Sequence, residues 1–136
     1  MEGIDSAAIL SRILEKCQTN NGKHKCILWT GTKYKSATFS YSKIRNPLSK
    51  INEQQPAFLR THRLVYLLHN IETYYDFIIP KTNADGHEMD VSHICHNSLC
   101  LNINHLVLEP HYINCGRRGC VTVGTCYRTH HPACLL

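Results

Sequence analysis

Cysteines and histidines crowd the last third of the chain at spacings that suit metal ions. From His93 to Cys134 lie six of the eight cysteines and six of the ten histidines, mixed with Asn97, Asn102, Asn104, Asn114, Arg117, Arg118 and Arg128. A stretch so rich in ligands and so poor in apolar residues is no ordinary core. Cys95 and Cys100 have four residues between them, and His105 follows after four more. Three such ligands on a tight loop suit tetrahedral zinc, with the fourth coming from elsewhere. Cys26 is the first choice, because it heads an expected strand able to pack against this loop; Cys17 is the reserve. A second group, Cys120, Cys126, His130 and Cys134, has five, three and three residues between successive members. His131 competes with His130 there, and Cys115 is an available substitute. Four candidate protein ligands at each centre leave no open position, so both zincs are expected to be structural.

His93 is placed differently. It stands two residues before Cys95, closing the Met89-Asp90-Val91 segment that reads as a strand, and the period-two geometry aims its side chain away from the ligands. Leu106-Val107-Leu108 reads as a returning strand. Glu109-Pro110 reads as the start of a helix, where proline suits the first turn, and Asn114 falls about one turn into it. Strand, strand and helix would form a ββα unit with His93 facing Asn114 across a small cleft. Hydrolysis of a phosphodiester needs a base to activate water, a divalent cation to hold the phosphate, and cationic donors for the developing charge. His93 can be the base, Asn114 an oxygen ligand to magnesium, and Arg60, Arg63, Arg117 or Arg118 the cationic support. On the residues alone, the competing reading makes His93 a partner of a zinc ligand and Asn114 a plain helix residue.

The rest of the chain must position these groups. Its 136 residues, 43% apolar, suit one small mixed α+β domain over 1–136, with modest burial for its size. Asp5 or Ser6 can cap a first helix whose Ile9, Leu10, Ile13, Leu14 and Cys17 form one apolar stripe. Cys26-Ile27-Leu28-Trp29 begins a strand, and Thr30-Gly31-Thr32 bends the chain. From Tyr34 to Tyr41, Tyr34, Ser36, Thr38 and Ser40 can face one way, and Lys35, Ala37, Phe39 and Tyr41 the other. A small antiparallel sheet follows, whose Lys33, Lys35, Lys43 and Arg45 with Tyr34 and Tyr41 could lie against nucleic-acid backbone; a solvated charged face competes closely. Residues 46–57 read as loop. Thr61 to His69 reads as a helix burying Leu64, Val65, Leu67 and Leu68, with Arg60, His62 and Arg63 near its start. Residues 71–80 are ambiguous between a strand and an irregular hydrophobic brace, and Asp85-Gly86 centres a turn.

Fifteen Lys and Arg against ten Asp and Glu favour an anionic partner. The acidic start and the lack of an early apolar run argue against a secretory signal. No stretch approaches the roughly 18 apolar residues of a membrane span. An intracellular setting, with the nucleus included, is therefore expected, and zinc is a better reading of the cysteines than disulfides.

SHICHNSLCLNINHL followed by EPHYINCGRRGC resembles the His-Cys box of homing endonucleases in the His-Me finger (ββα-metal) superfamily. CILWTG and THRLVYLLHN resemble segments of the simpler HNH nucleases. The resemblance implies a DNA endonuclease with general base His93, magnesium held by Asn114, and two structural zincs. It implies Cys26, Cys95, Cys100 and His105 at one zinc, and Cys120, Cys126, His130 and Cys134 at the other. It further implies a small sheet that reads double-stranded DNA. The family's arginine near the scissile phosphate would fall in NEQQPAF, so Arg60 or Arg63 would have to replace it. The chain ends two residues after Cys134, so a monomer, or a homodimer without a C-terminal tail swap, is expected, and a monomer favours nicking. A non-catalytic zinc-dependent DNA-binding module and an RNase of the same fold are the alternatives.

Overall fold

The structure, a computed structural model, describes residues 4–20, 22–35, 40–51, 54–126 and 130–136. Helix α1 (Ser6–Leu14) begins at Asp5, whose Oδ1 accepts a hydrogen bond from the Ala8 amide at 3.0 Å, satisfying one of the amides that a helix start leaves unpaired. Ile13 is buried, and Ile9 and Leu10 pack against the core. Leu14 departs from the expected stripe and is 46% exposed.

Strands β1 (Cys17–Thr19) and β2 (Ile27–Trp29) pair antiparallel, Cys17 opposite Trp29. Cys17 is half-buried, packs against the core and donates its thiol to the Ile13 carbonyl. Trp29 is buried, and its indole donates to the Thr32 carbonyl at 2.8 Å. A side chain on Gly31 would meet that ring at 2.4 Å, which only glycine avoids at this bend. The other edge of β2 pairs with the Cys95–His105 loop: Trp29 N donates to Leu99 O and Leu101 N to Ile27 O. That pairing brings Cys26 to the loop.

Strands β3 (Lys33–Lys35), β4 (Ser40–Arg45) and β5 (Phe58–Arg60) form a three-stranded antiparallel sheet in that order. Tyr34 lies opposite Tyr41, Lys43 opposite Arg60, and Arg45 opposite Phe58. Opposed residues share a face, so these six form one outer face. Ser42 is buried on the other face, where Ile44 and Leu59 pack on the core. The expected alternation from Tyr34 to Tyr41 is corrected here, because the chain reverses between β3 and β4 and so puts both tyrosines together. Ser36 to Phe39, on which that alternation also rested, lie outside the described residues. Lys33, opposite Ser42, and Lys35, opposite Ser40, alternate away from the outer face at the edge strand.

Helix α2 (Thr61–His69) follows β5 directly and buries Leu64, Val65, Leu67 and Leu68, as its periodicity requires, together with Thr61 and His62. A fully buried leucine of this kind contributes about 1.5–3 kcal/mol. Residues 71–80 form the irregular brace rather than a strand, with Phe77 and Ile79 buried. The Asp85-Gly86 turn follows, Gly86 at φ 81°.

Strands β6 (Met89–His93) and β7 (Leu106–Pro110) pair antiparallel from Met89 opposite Pro110 to His93 opposite Leu106. A 3-10 turn at Ile103–His105 precedes β7, and helix α3 (His111–Val123) follows it. This is the expected ββα unit, with one correction: Glu109 and Pro110 close the strand, Pro110 stands at the helix's N-cap, and the helix begins at His111. Gly124, at φ 87°, ends α3 in the left-handed conformation that favours glycine. No helix among the described residues is long and apolar enough to cross a membrane.

Candidate functional site

Among the described residues, two groups of cysteine and histidine converge: Cys26, Cys95, Cys100 and His105, and Cys120, Cys126, His130 and Cys134, with the ligand atoms of each group within 4.8 Å of one another. In the first, His105 Nδ1 lies 3.6 Å from Cys26 Sγ and 3.3 Å from Cys100 Sγ. In the second, His130 Nδ1 lies 3.5 Å from both Cys120 and Cys126 Sγ and 3.7 Å from Cys134 Sγ, and the Cys120 and Cys126 sulfurs are 3.9 Å apart. Zinc at roughly 2.3 Å from sulfur and 2.0–2.1 Å from nitrogen makes tetrahedral edges of about 3.6 Å for S···N and 3.8 Å for S···S. The observed separations fit that tetrahedron, and the two clusters support two structural zinc sites. Cys17, Cys115 and His131 stand outside both groups. The hydrogen bond from Cys95 lowers the Cys100 thiol, while burial raises Cys26 and the bond to Cys100 raises Cys95, so the three thiols share their protons as one group.

Each cluster is tied to the ββα unit. Loop 95–105 is pinned by Asn102 Nδ2 donating to Lys25 O at 2.8 Å. The second cluster is anchored by Arg117, which reaches Glu109 through two hydrogen bonds, Nε to Oε2 at 2.7 Å and Nη2 to Oε1 at 2.8 Å, and Cys134 Sγ at 3.3 Å. Arg117 is 1% exposed. It is therefore a structural residue and not the cationic support for a phosphate that its place in the motif suggests.

Between these elements opens a cleft of about 900 Å³, lined among others by Tyr41, Arg60, Arg63, His93, Asn114 and Arg118. His93 and Asn114, the expected working pair, thus share one cavity with both candidate arginines. His93 Nε2 lies 3.1 Å from the Cys100 carbonyl oxygen. A carbonyl only accepts, so Nε2 carries the proton and Nδ1 is the ring's free acceptor in the neutral form. Burial pushes the His93 imidazole down to about 4, with Arg60 and His105 adding to the effect and the Cys100 carbonyl opposing it. The ring is therefore neutral near pH 7. Its neighbour His62 lies 4.4 Å away between ring centroids, and burial holds that imidazole well below the usual histidine range.

Arg60 packs over the Tyr41 ring at 4.2 Å, on the edge of the outer sheet face. Lys43 sits over Tyr34 and Phe58 at 5.0 and 4.6 Å on the same face. Arg63 donates to the Ile79 carbonyl at 3.3 Å from the cleft wall. On α3, Asn114 Nδ2 donates to Asp90 Oδ2 at 2.9 Å, and His111 Nδ1 lies 2.6 Å from the same oxygen. The cleft offers hard oxygen donors of the kind magnesium takes, the Asn114 amide oxygen among them. Asp90, Lys81, His62 and Ser98 also line the cavity, and spacing along the chain marks none of them as a site residue. Asp90 was readable only as a strand residue of the wrong parity to join His93.

A ββα unit stapled by two zinc clusters, with a histidine and an asparagine in its cleft, defines a zinc-stabilised nuclease-type fold. The family model for the zinc-binding loop region of homing endonucleases matches residues 25–135, and the chain belongs to that family. Comparison with curated proteins and with solved structures gives no match. The family implies DNA binding.

Proposed function

We propose that this protein is a divalent-metal-dependent DNA endonuclease in which His93 is the general base and Asn114 holds magnesium. The observation that carries this reading is the 3.1 Å approach of His93 Nε2 to the Cys100 carbonyl oxygen: the carbonyl must accept, which assigns the proton to Nε2 and leaves Nδ1 as the acceptor on a ring that lines the cleft. A water held in the cleft would give a proton to Nδ1 as its oxygen attacks phosphorus and the P–O bond to the departing sugar oxygen breaks, that oxygen taking up a proton from solvent. Asn114 would hold the magnesium ion, which would supply neutralisation of the charge that develops in the reaction. Arg60, Arg63 and Arg118 line the same cavity and offer donors to the phosphate's remaining oxygens. The outer sheet face, with Tyr34, Tyr41, Lys43, Arg45, Phe58 and Arg60, continues from the cleft through Tyr41 and Arg60, and there double-stranded DNA would lie.

The test is conversion of supercoiled plasmid by zinc-loaded, magnesium-supplemented protein, scoring nicked and linear products separately. His93→Ala is expected to abolish cleavage while zinc content and DNA binding persist. Undiminished cleavage by His93→Ala would remove the proposed base. Binding without cleavage by the unaltered protein would leave the non-catalytic DNA-binding module, and cleavage of RNA in preference to duplex DNA the RNase.

A further inference from the structure

Asp90 is a carboxylate in a cleft that, on this reading, receives a phosphodiester, where its charge repels the substrate. It also stands directly opposite Glu109 across the β6–β7 pair, and like charges so placed are destabilising. The two acids share one face of the hairpin, and each has partners on α3. Glu109 is taken up by Arg117. Asp90 Oδ2 receives Asn114 Nδ2 at 2.9 Å and His111 Nδ1 at 2.6 Å, and its charge bears on the nearby Arg63. His111 is held in turn by Cys115, whose Sγ lies 3.3 Å from Nε2.

An asparagine amide is two-sided, and its nitrogen and oxygen exchange places by a half-turn about the last side-chain bond. Only the oxygen can bind a cation. A carboxylate accepts and does not donate, so it takes the nitrogen side of the amide and leaves Oδ1 as the atom for an ion. His111, donating to the same oxygen, keeps the carboxylate from turning away.

We infer that Asp90 is the positioning residue of the cation site: it locks the Asn114 amide with Oδ1 presented for a divalent ion, and His111 holds it in place. The inference rests on the assignment of Asn114 as the ion's ligand. Asp90 acts through Asn114 and needs no contact with substrate. A locked amide loses less freedom on binding the ion, so the lock appears as affinity for the cation and not only as rate.

The experiment is a Mn²⁺ titration followed by the electron paramagnetic resonance of the free ion. It uses zinc-loaded protein carrying His93→Ala, bound to uncut duplex DNA. Zinc content and circular dichroism accompany each variant as checks on folding. Asp90→Ala is expected to weaken Mn²⁺ binding about tenfold, equivalent to about 1.4 kcal/mol. Asp90→Asn keeps an acceptor oxygen at the same place, which the His111 donor still turns toward Asn114, and is expected to recover most of that loss. Asn114→Ala is expected to lose the ion altogether. Wild-type affinity in Asp90→Ala, or a loss in Asp90→Asn equal to that in Asp90→Ala, would overturn the positioning role. Wild-type affinity in Asn114→Ala would instead overturn the assignment of the ligand itself, so the two failures are distinguishable.

Discussion

His93 Nε2 lies 3.1 Å from the carbonyl oxygen of Cys100, so the candidate base and a candidate zinc ligand share one hydrogen bond. The zinc loop therefore sets the tautomer and the tilt of the imidazole as well as stapling the fold. Cys100→Ser should lower cleavage without any change to His93 itself. A positioned base contributes about 10²–10⁴-fold, and a loss within that range is expected. Metal analysis of the same sample should find one zinc per chain in place of two. Full cleavage with a single zinc would show that the loop does not govern the base.

Removal of both zincs should unfold the C-terminal half. Structural zinc contributes about 10–16 kcal/mol to folding in zinc-finger peptides, and the polar stretch from Cys95 to Cys134 has few buried apolar residues to replace it. Excess chelator is expected to abolish the cooperative thermal transition, and added magnesium is expected not to restore it. A transition unchanged by complete zinc removal would sink the structural role.

Arg117 and Glu109 form a buried ion pair, 1% and 5% exposed. Removing one partner strands the other charge, at a cost of about 3–5 kcal/mol. Arg117→Ala should lose stability in that range in urea unfolding of the zinc-loaded protein. The double variant Arg117→Met, Glu109→Leu should be less destabilised than Arg117→Ala alone. If both unfold at the same urea concentration, stranded charge is not the cause.

The outer sheet face should appear in the salt dependence of DNA binding. Each phosphate neutralised contributes about 0.9 to the slope of log affinity against log salt. Lys43→Ala is expected to lower the slope by roughly that amount. A weaker affinity with an unchanged slope would mean that Lys43 does not meet a phosphate.

His111 should titrate above the ordinary histidine value, because Asp90 accepts its hydrogen bond and adds its charge. With the folded value raised, the pair's contribution to stability is complete below the unfolded value of about 6.5 and is lost as pH rises through the folded one. Proton NMR of the His111 ring should place the midpoint above that of an exposed histidine, and Asp90→Asn should bring it down. A midpoint unaffected by Asp90→Asn would separate the two residues.

What could be read from the chain alone was whatever depends on spacing along it. Cys95, Cys100 and His105, the second Cys/His group, the burial of Leu64, Val65, Leu67 and Leu68 on α2, and the strand closing at His93 follow from local period or interval. Cys26 rests instead on an expected strand packing and on the family resemblance, with Cys17 in reserve. What could not be read depends on which element crosses another. Arg117 looks like a phosphate ligand until β7 lays Glu109 beside it. Asp90 looks like an unremarked strand residue until α3 brings His111 and Asn114 across it. Tyr34 and Tyr41 look opposed until the reversal between β3 and β4 places them side by side.

Residues 135 and 136 tie parts of the molecule that the motif keeps separate. Leu135 N donates to Ile94 O at 2.8 Å, next to the first zinc loop. The Leu136 carbonyl receives Lys23 Nζ at 2.9 Å and lies 3.1 Å from His24 Nε2, in the turn before β2. Metal at the second centre fixes Cys134 and so delivers this segment to Ile94 and to the turn that leads into Cys26. Filling one centre is thus expected to preorganise the other, and with both ligand sets intact partly loaded molecules should be scarce when zinc is limiting.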